Sequence, residues 1–119
     1  MSTKINPRGL VDAVQKNSVT LFYAPWCGHC KRLHPTYDSF ARSVKSNMPG
    51  IHVNRIDMHK HGDEVKNLRI GEEEFGAPVS SAVKGFPTVL FFRKDGETRS
   101  YDGARTEEGL MEATRAFFA

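Results

Sequence analysis

Both cysteines of this 119-residue chain fall within one short segment, FYAPWCGHCKRLHP, where they occupy positions 27 and 30. Two cysteines at this spacing can form half of a metal site, a structural disulfide or a redox pair. A structural zinc site needs four ligands, and the chain has no further cysteine. A disulfide that closes so short a loop removes little chain entropy and stabilises little. These arguments favour a redox pair formed by Cys27 and Cys30.

The histidines do not complete a zinc site in this interpretation. His59 and His61 fall in the polar segment DMHKHGD, which we expect to be a solvated loop. His52 lies in a predicted strand, where a half-buried sheet position is expected. His59 and His61 are only two positions apart, closer than the paired histidines of a typical zinc motif. We therefore expect neither a metal nor another cofactor.

Composition restricts the classes of function. The chain is 39% hydrophobic and 26% charged, which is ordinary for a globular protein, and its length suits a single domain over residues 1–119. The net charge is +3, but the basic residues are scattered and form no stripe, so we expect no nucleic-acid binding. No apolar run is long enough to span a bilayer, so we expect no membrane insertion. A monomer is expected.

The chain ends give only a default location. The segment MSTKINPRGL has no apolar core of a secretory signal, and TRAFFA is not a retention tetrapeptide of the endoplasmic reticulum. These features indicate a cytoplasmic protein by default. The endoplasmic reticulum stays an alternative if a leader has been removed.

Apolar periodicity and turn signals predict alternating helices and strands followed by a hairpin at Asp95-Gly96. Such an order is typical of an α/β fold, with a mixed central sheet covered by helices on both faces. The cysteines lie where a central strand leads into a helix, which is where α/β proteins tend to place their sites. The predicted elements are a strand within 2–5, helix 6–17, strand 18–24, helix 27–46, strand 50–57, helix 63–70, strands 87–94 and 97–103, and helix 106–118.

The position of the pair predicts unequal thiols. A helix N-terminus offers partial positive charge and free N–H groups, which lower the pKa of a cysteine placed there. Cys27 is predicted at that exposed terminus, and Cys30 lies one turn further in, where it is shielded. Cys27 should therefore attack and Cys30 should resolve the mixed disulfide.

The segment FYAPWCGHCK resembles the active-site segment of the protein disulfide isomerase branch of the thioredoxin superfamily. GFPT (85–88) resembles the cis-proline loop of that family, and YDGAR (101–105) resembles its late tyrosine and arginine. Pro35 matches the proline that kinks the active-site helix. The resemblance covers nearly the whole chain and implies a thioredoxin-like fold and a thiol–disulfide oxidoreductase.

The resemblance implies a role for each matching residue of the motif. Cys27 would be the nucleophile, Cys30 the resolving thiol, and Gly28 and His29 the intervening dipeptide. A positive or partly positive His29 would favour the thiolate, and stabilising the reduced form makes the disulfide a stronger oxidant. The pair should therefore be more oxidising than one with proline at that position.

Four further residues are implied by the same resemblance. Trp26 would flank the site as an exposed aromatic. The Phe86–Pro87 peptide bond would be cis and would face the disulfide, and the backbone of Phe86 would pair with an extended substrate. Arg105 would tune Cys30, the alternative being a solvated arginine in a loop.

The chain departs from the family pattern in two places. Leu21 stands where the family usually carries a buried acid that takes the proton of the resolving cysteine, which predicts slow release of substrate. Arg55 matches the usual basic partner of that acid and is expected to lack a mate. Residues 69–81 are expected to form an inserted loop, which either borders the substrate groove or is a plain surface insertion.

These observations predict an enzyme of the protein disulfide isomerase type that forms, reduces or rearranges protein disulfides. Its partners would be protein or peptide thiols and disulfides, and a regenerating partner such as glutathione or a reductase or oxidase. Two alternatives stay open. One is a cytosolic protein-disulfide reductase of the thioredoxin kind, and the other is a folding helper or binding module that acts independently of the thiols.

Overall fold

The computed structural model describes residues 1–119, and helices and strands alternate along the chain until a hairpin near its end. The elements are β1 (Thr3–Ile5), α1 (Pro7–Ala13), β2 (Ser18–Tyr23), α2 (Gly28–Asn47), β3 (His52–Asp57), α3 (Met58–Val65), β4 (Arg69–Ile70), β5 (Glu73–Glu74), α4 (Gly76–Ala82), β6 (Thr88–Phe92), β7 (Thr98–Ser100) and α5 (Glu107–Phe117).

Strand β2 lies at the centre of a five-stranded sheet of order β1-β3-β2-β6-β7. Its β-branched and aromatic residues suit a strand covered on both faces, and all six residues of the strand are buried. It pairs in parallel with β3 and antiparallel with β6. β1 pairs in parallel with β3, and β7 antiparallel with β6. The predicted mixed sheet is confirmed.

Helices cover both faces of this sheet. Alternate residues of β2 point to opposite faces, so Leu21 joins a core with residues of α2 and α5, whereas Phe22 joins a second core with residues of α1, α3 and α4. The α2 side of the core holds both cysteines. The expected α/β, thioredoxin-like architecture is therefore confirmed.

Helix α2 matches the predicted helix closely. Its apolar residues recur every three or four positions and turn one stripe toward the sheet, and Pro35 lies within it. The buried residues of α2 are Cys30, Leu33, Tyr37, Phe40, Ala41 and Val44.

The helix predicted over 63–70 is displaced toward the N-terminus. The carboxylate of Asp57, the last residue of β3, accepts hydrogen bonds from the backbone N–H groups of His59 and Lys60 at 2.9 and 3.0 Å, and so begins α3 at Met58. The expectation of a loop at His59 and His61 was wrong, because both residues lie in α3.

The segment 69–81 contains regular structure where a loop was expected. β4 and β5 form a small antiparallel pair, and α4 follows. A Cβ atom on Gly76 would lie 2.1 Å from the carbonyl oxygen of Val65, so only glycine lets α4 begin so close to the end of α3. Leu68, Phe75 and Val79 bury apolar surface in the second core, which explains why this segment folds onto the domain.

The Asp95-Gly96 turn joins β6 to β7 as predicted. Gly96 has a φ of +95°, a value that favours glycine, and its N–H donates to the carbonyl of Arg93 at 2.9 Å. β7 is only three residues long, shorter than the strand predicted over 97–103. None of the helices combines the length and apolar character needed to cross a membrane.

Candidate functional site

The cysteine pair lies where the central strand leads into α2. Cys27 is the N-cap residue of the helix, in an extended conformation, and its N–H donates to the carbonyl of Ala24 at 3.1 Å. The N–H of Lys31 donates to the carbonyl of Cys27 and closes the first helical turn. The pair is therefore held at the positive end of α2 and at the carboxyl end of β2.

The thiol of Cys27 accepts hydrogen bonds rather than standing free. Its Sγ atom accepts from the N–H of Cys30 at 3.3 Å. The pKa of Cys27 lies below its ordinary value, chiefly because of a hydrogen bond from the Cys30 side chain, with the backbone N–H groups of Cys30 and His29 adding to it. Both cysteines are reduced in this structure. The direction of the shift agrees with the predicted attacking role, which stays a prediction.

The thiol of Cys30 is the more shielded of the two. Its residue is 1% exposed, against 7% for Cys27. Burial, followed by the hydrogen bond to Cys27, raises the pKa of Cys30 to about 11. Cys27 is less exposed than its position at a helix terminus predicted, so the two thiols differ more in hydrogen bonding and pKa than in accessible surface.

The segment before β6 closes one side of the site. The Phe86–Pro87 peptide bond is cis, which confirms the geometry implied by the family resemblance. The Sγ atom of Cys27 donates to the carbonyl oxygen of Phe86 at 3.6 Å, so the cis peptide does face the cysteine pair. An incoming substrate would meet Cys27 beside the Phe86 backbone.

Trp26 is 64% exposed, as expected of an aromatic residue that flanks the site. Its ring meets the ring of Phe86 edge to face, with the centroids 6.1 Å apart. Its Nε1 donates to Nδ1 of His59 at 3.3 Å. This contact joins α3 to the rim of the site, and the sequence reasoning missed His59 because the two residues lie 33 positions apart.

Gly28 and His29 are both exposed in the first turn of α2. Nδ1 of His29 lies 2.9 Å from Nη2 of Arg32. Because a guanidinium only donates, His29 accepts this bond through an unprotonated Nδ1. The imidazole of His29 therefore faces Arg32, and His29 supports the Cys27 thiolate through its backbone N–H.

Arg105 lies close enough to affect both thiols. It lines a cavity of about 110 Å³ together with Pro87, Tyr101 and Leu33. Its positive charge lowers the pKa of both thiols. At Cys27 this effect is smaller than that of the hydrogen bond from Cys30, and at Cys30 it is smaller than that of burial. Arg105, which the family resemblance singled out, therefore lies near the cysteine pair in the fold.

Leu21 is fully buried on the α2 side of β2 and lies opposite Arg55 in the pairing with β3. The expectation that Arg55 lacks a partner was wrong. Its Nη1 donates to the backbone oxygen and to Oγ of Ser2, at 2.7 and 2.8 Å. Ser2 in turn donates to Oδ1 of Asp38 through its N–H and its hydroxyl. Ser2 therefore takes the place that a buried acid at position 21 would have as the partner of Arg55.

A second cavity, of about 230 Å³, borders the site on the side of the 69–81 segment. It lies between Met58 and Asp63 of α3, Ser80 of α4, and the residues Val83 and Phe86 that follow. The segment thus lies beside the cis-peptide loop. No group of three or more histidine, cysteine, aspartate or glutamate side chains is placed to hold a metal ion.

Comparison with known proteins relates this arrangement to a family. The chain matches the family described as Thioredoxin over residues 3–116. It is 36% identical to Protein disulfide isomerase-like 1-1 of Arabidopsis thaliana, over 84% of this chain and 18% of the relative. It is 37% identical to Protein disulfide-isomerase A4 of Mus musculus, over 84% of this chain and 14% of the relative. The chain thus spans less than a fifth of the length of these curated relatives.

The solved structures show the same likeness. The first thioredoxin domain of mouse Protein disulfide-isomerase A4 superposes with a TM-score of 0.75 at 29% identity, over 98% of this chain and 74% of that one. The family match covers nearly every residue, from β1 to the last turns of α5. This chain therefore belongs to the thioredoxin family.

Proposed function

We propose that this chain is a thiol–disulfide oxidoreductase of the protein disulfide isomerase type, acting on disulfides of protein or peptide substrates. The observation that supports the proposal most is the difference between its two thiols. Cys27 receives hydrogen bonds that lower its pKa, whereas burial raises the pKa of Cys30 to about 11. Relatives named protein disulfide isomerase agree with this activity.

The first step is attack by the Cys27 thiolate on a substrate disulfide. A bond forms between Cys27 Sγ and one substrate sulfur, and the other substrate sulfur leaves as a thiolate. The Cys30 thiolate then attacks Cys27 Sγ, which forms the Cys27–Cys30 disulfide and releases the second substrate thiol. The reverse sequence donates the disulfide to a substrate dithiol.

Substrate binding is assigned to the rim of exposed and half-buried groups around Cys27. The backbone of Phe86 faces the thiol and can pair with an extended chain, as in strand addition. Trp26 offers an exposed aromatic surface beside it. Arg105 and His29 adjust the thiolates. The space over the helix terminus at Gly28 is open, since a Cβ there would meet only Nη1 of Arg32 at 3.8 Å.

Turnover requires a partner that restores the starting redox state, such as glutathione, a reductase or an oxidase. The direction of net transfer depends on the reduction potential of the pair against that partner. A potential near that of protein disulfide isomerase, about −180 mV, would agree with an isomerase, whereas one near that of thioredoxin, about −270 mV, would indicate a reductase.

The direct test is reactivation of ribonuclease with scrambled disulfides in a glutathione buffer. The wild-type chain should restore ribonuclease activity, and the Cys27→Ser, Cys30→Ser double variant should not. If the double variant reactivates ribonuclease as fast as wild type, the chain acts as a binding module and the proposed function is wrong. A Ser39→Ala variant, altered in α2 away from the thiols, serves as the matched control.

A further inference from the structure

One half-buried histidine of α2 has no role in the steps above. His34 follows Cys30 by four residues in α2, so the two side chains lie on the same face of the helix, one turn apart. The Nε2 atom of His34 is buried and has no hydrogen-bond partner. Its ring meets the ring of Tyr23 edge to face, with the centroids 5.0 Å apart. An unpaired basic nitrogen is therefore carried one helical turn from the resolving thiol, on the same face of α2.

The surroundings of His34 favour its neutral imidazole. Burial lowers the pKa of His34 below its ordinary value, and the charge of Arg55 lowers it further, while Asp38 acts in the opposite direction. At neutral pH the imidazole therefore retains a lone pair. The tautomer with its proton on Nδ1 presents that lone pair at the buried Nε2.

The neighbouring groups offer no better proton acceptor. Arg55 carries a permanent charge and only donates. Asp38 already accepts two hydrogen bonds from Ser2. These bonds and the charge of Arg55 outweigh burial and hold the pKa of Asp38 below its usual value, which makes it a weak base.

The strand β2 presents no acceptor either. Leu21, at the family's acidic position, is apolar and fully buried. The pKa of Tyr23 is raised, first by burial and then by the charge of Asp57, so its phenol stays protonated. Of these groups, His34 alone has a basic lone pair without a hydrogen-bond partner.

Cys30 needs such a group. In the reduced pair the pKa of Cys30 is about 11, first because of burial and then because of Cys27, so only about one Cys30 thiol in ten thousand is ionised at pH 7. In the mixed disulfide the contribution of the Cys27 thiolate is gone, but burial, the larger cause, still opposes ionisation of Cys30. We propose that His34 accepts the proton of the Cys30 thiol when Cys30 resolves the mixed disulfide, in place of the acid that Leu21 replaces. The inference rests on the proposed function. It also revises the expectation that the leucine makes substrate release slow.

The proposed step balances without another reactant. The Cys30 proton moves to Nε2 of His34, and the Cys30 thiolate attacks Cys27 Sγ. The bond between Cys27 and the substrate sulfur breaks as the Cys27–Cys30 disulfide forms. The substrate thiolate then takes the proton from the imidazolium, which restores neutral His34.

The test follows both thiols in one experiment. Reduced protein is mixed with dithiobis-nitrobenzoate in a stopped-flow instrument, and release of thionitrobenzoate is recorded. The first phase reports attack by Cys27, and the second reports resolution by Cys30. Loss of the first phase in wild type would contradict the proposed function. A change confined to the second phase concerns His34 alone.

In wild type, the rate of the second phase should stay level between about pH 7 and 9, because proton transfer to His34 does not require hydroxide. In His34→Gln it should be about ten- to a hundredfold slower at pH 7 and rise about tenfold with each pH unit. His52→Gln, which alters an exposed histidine in β3, should match wild type.

Two results would overturn the inference. One is a second phase in His34→Gln with the wild-type rate and pH profile. The other is a wild-type second phase that itself rises about tenfold per pH unit over this range, and this measurement decides the matter even if His34→Gln fails to fold.

Discussion

The Sγ atom of Cys27 lies 3.6 Å from the carbonyl oxygen of Phe86, although the two residues are 59 positions apart in the chain. The contact joins the N-terminus of α2 to the cis-peptide loop before β6. Together with the hydrogen bond from the N–H of Cys30, it fixes the position of the Cys27 sulfur. We expect a substrate to approach beside the Phe86 backbone, near the exposed ring of Trp26.

The difference between the two thiols predicts selective alkylation. Only the thiolate reacts, and the pKa of Cys30 is about 11 while that of Cys27 is lowered below its ordinary value of 9.0. Iodoacetamide at pH 7 should therefore modify Cys27 at least about a hundredfold faster than Cys30. Peptide mapping by mass spectrometry after timed quenching measures both rates. Equal rates would contradict the assignment of attacker and resolver.

Substitutions at His29 distinguish the effect of its backbone N–H on the redox equilibrium from that of its imidazole. The N–H of His29 helps to lower the pKa of Cys27, after the larger contribution of the Cys30 side chain. His29→Pro removes that N–H and should make the pair more reducing, by about three- to tenfold in its equilibrium with glutathione.

The matched control for this substitution is His29→Ala, which keeps the N–H and loses only the imidazole that Arg32 contacts. The alanine variant should shift the equilibrium less than the proline variant does. An unchanged or more oxidising equilibrium in His29→Pro would rule out residue 29 as the tuning position.

Leu21→Glu measures how much an acid at this buried position would cost in free energy of unfolding. Leu21 is 0% exposed, so a carboxyl group there should lower the free energy of unfolding by about 1–3 kcal/mol. Arg55 lies opposite in the sheet but already donates to Ser2, so it compensates only in part. Denaturant melts of wild type, Leu21→Glu and the uncharged Leu21→Gln measure the cost. A glutamate variant as stable as wild type would show that Arg55 is free to pair with an acid.

His34 also predicts a pH dependence of stability. Its folded pKa is lowered, chiefly by burial and then by Arg55, below the ordinary value of 6.5. The unfolded chain therefore binds a proton more readily, so the contribution of His34 to stability is complete above about pH 6.5 and is lost as the pH falls toward the lower folded pKa. Melts at about pH 7.5 and 5.5 should show a smaller loss in His34→Gln than in wild type. Equal losses would mean that His34 is not buried in its neutral form.

Much of this fold could be predicted because its signals are local. The apolar run of β2, the spacing of buried residues in α2 and the Asp95-Gly96 turn each lie within a few residues. α3 was misplaced because the stabilising contact is a cap: Asp57 begins the helix at Met58, ahead of the apolar pattern at Val65 and Leu68. The composition of segment 69–81 predicts a loop, whereas its order depends on burial against α3.

In the site, too, local features could be predicted and contacts between distant residues could not. The thiols and the cis-proline loop could be located from the motif alone. The partner of Arg55 could not, because Ser2 lies 53 positions away and reaches it only through the pairing of β1 with β3. The role of His34 was equally hidden, since its spacing from Cys30 is visible in the sequence but its unpartnered Nε2 is visible only in the packed core.

Trapping of the mixed disulfide tests the central claim most directly. A Cys30→Ser variant keeps the attacking thiol and loses the resolving one, so incubation with a disulfide-containing protein and acid quenching should accumulate a covalent adduct at Cys27. Cys27→Ser should accumulate almost none, because the Cys30 thiol is buried and has a pKa of about 11. Capture by Cys27→Ser equal to that by Cys30→Ser, or no capture by Cys30→Ser, would contradict the account.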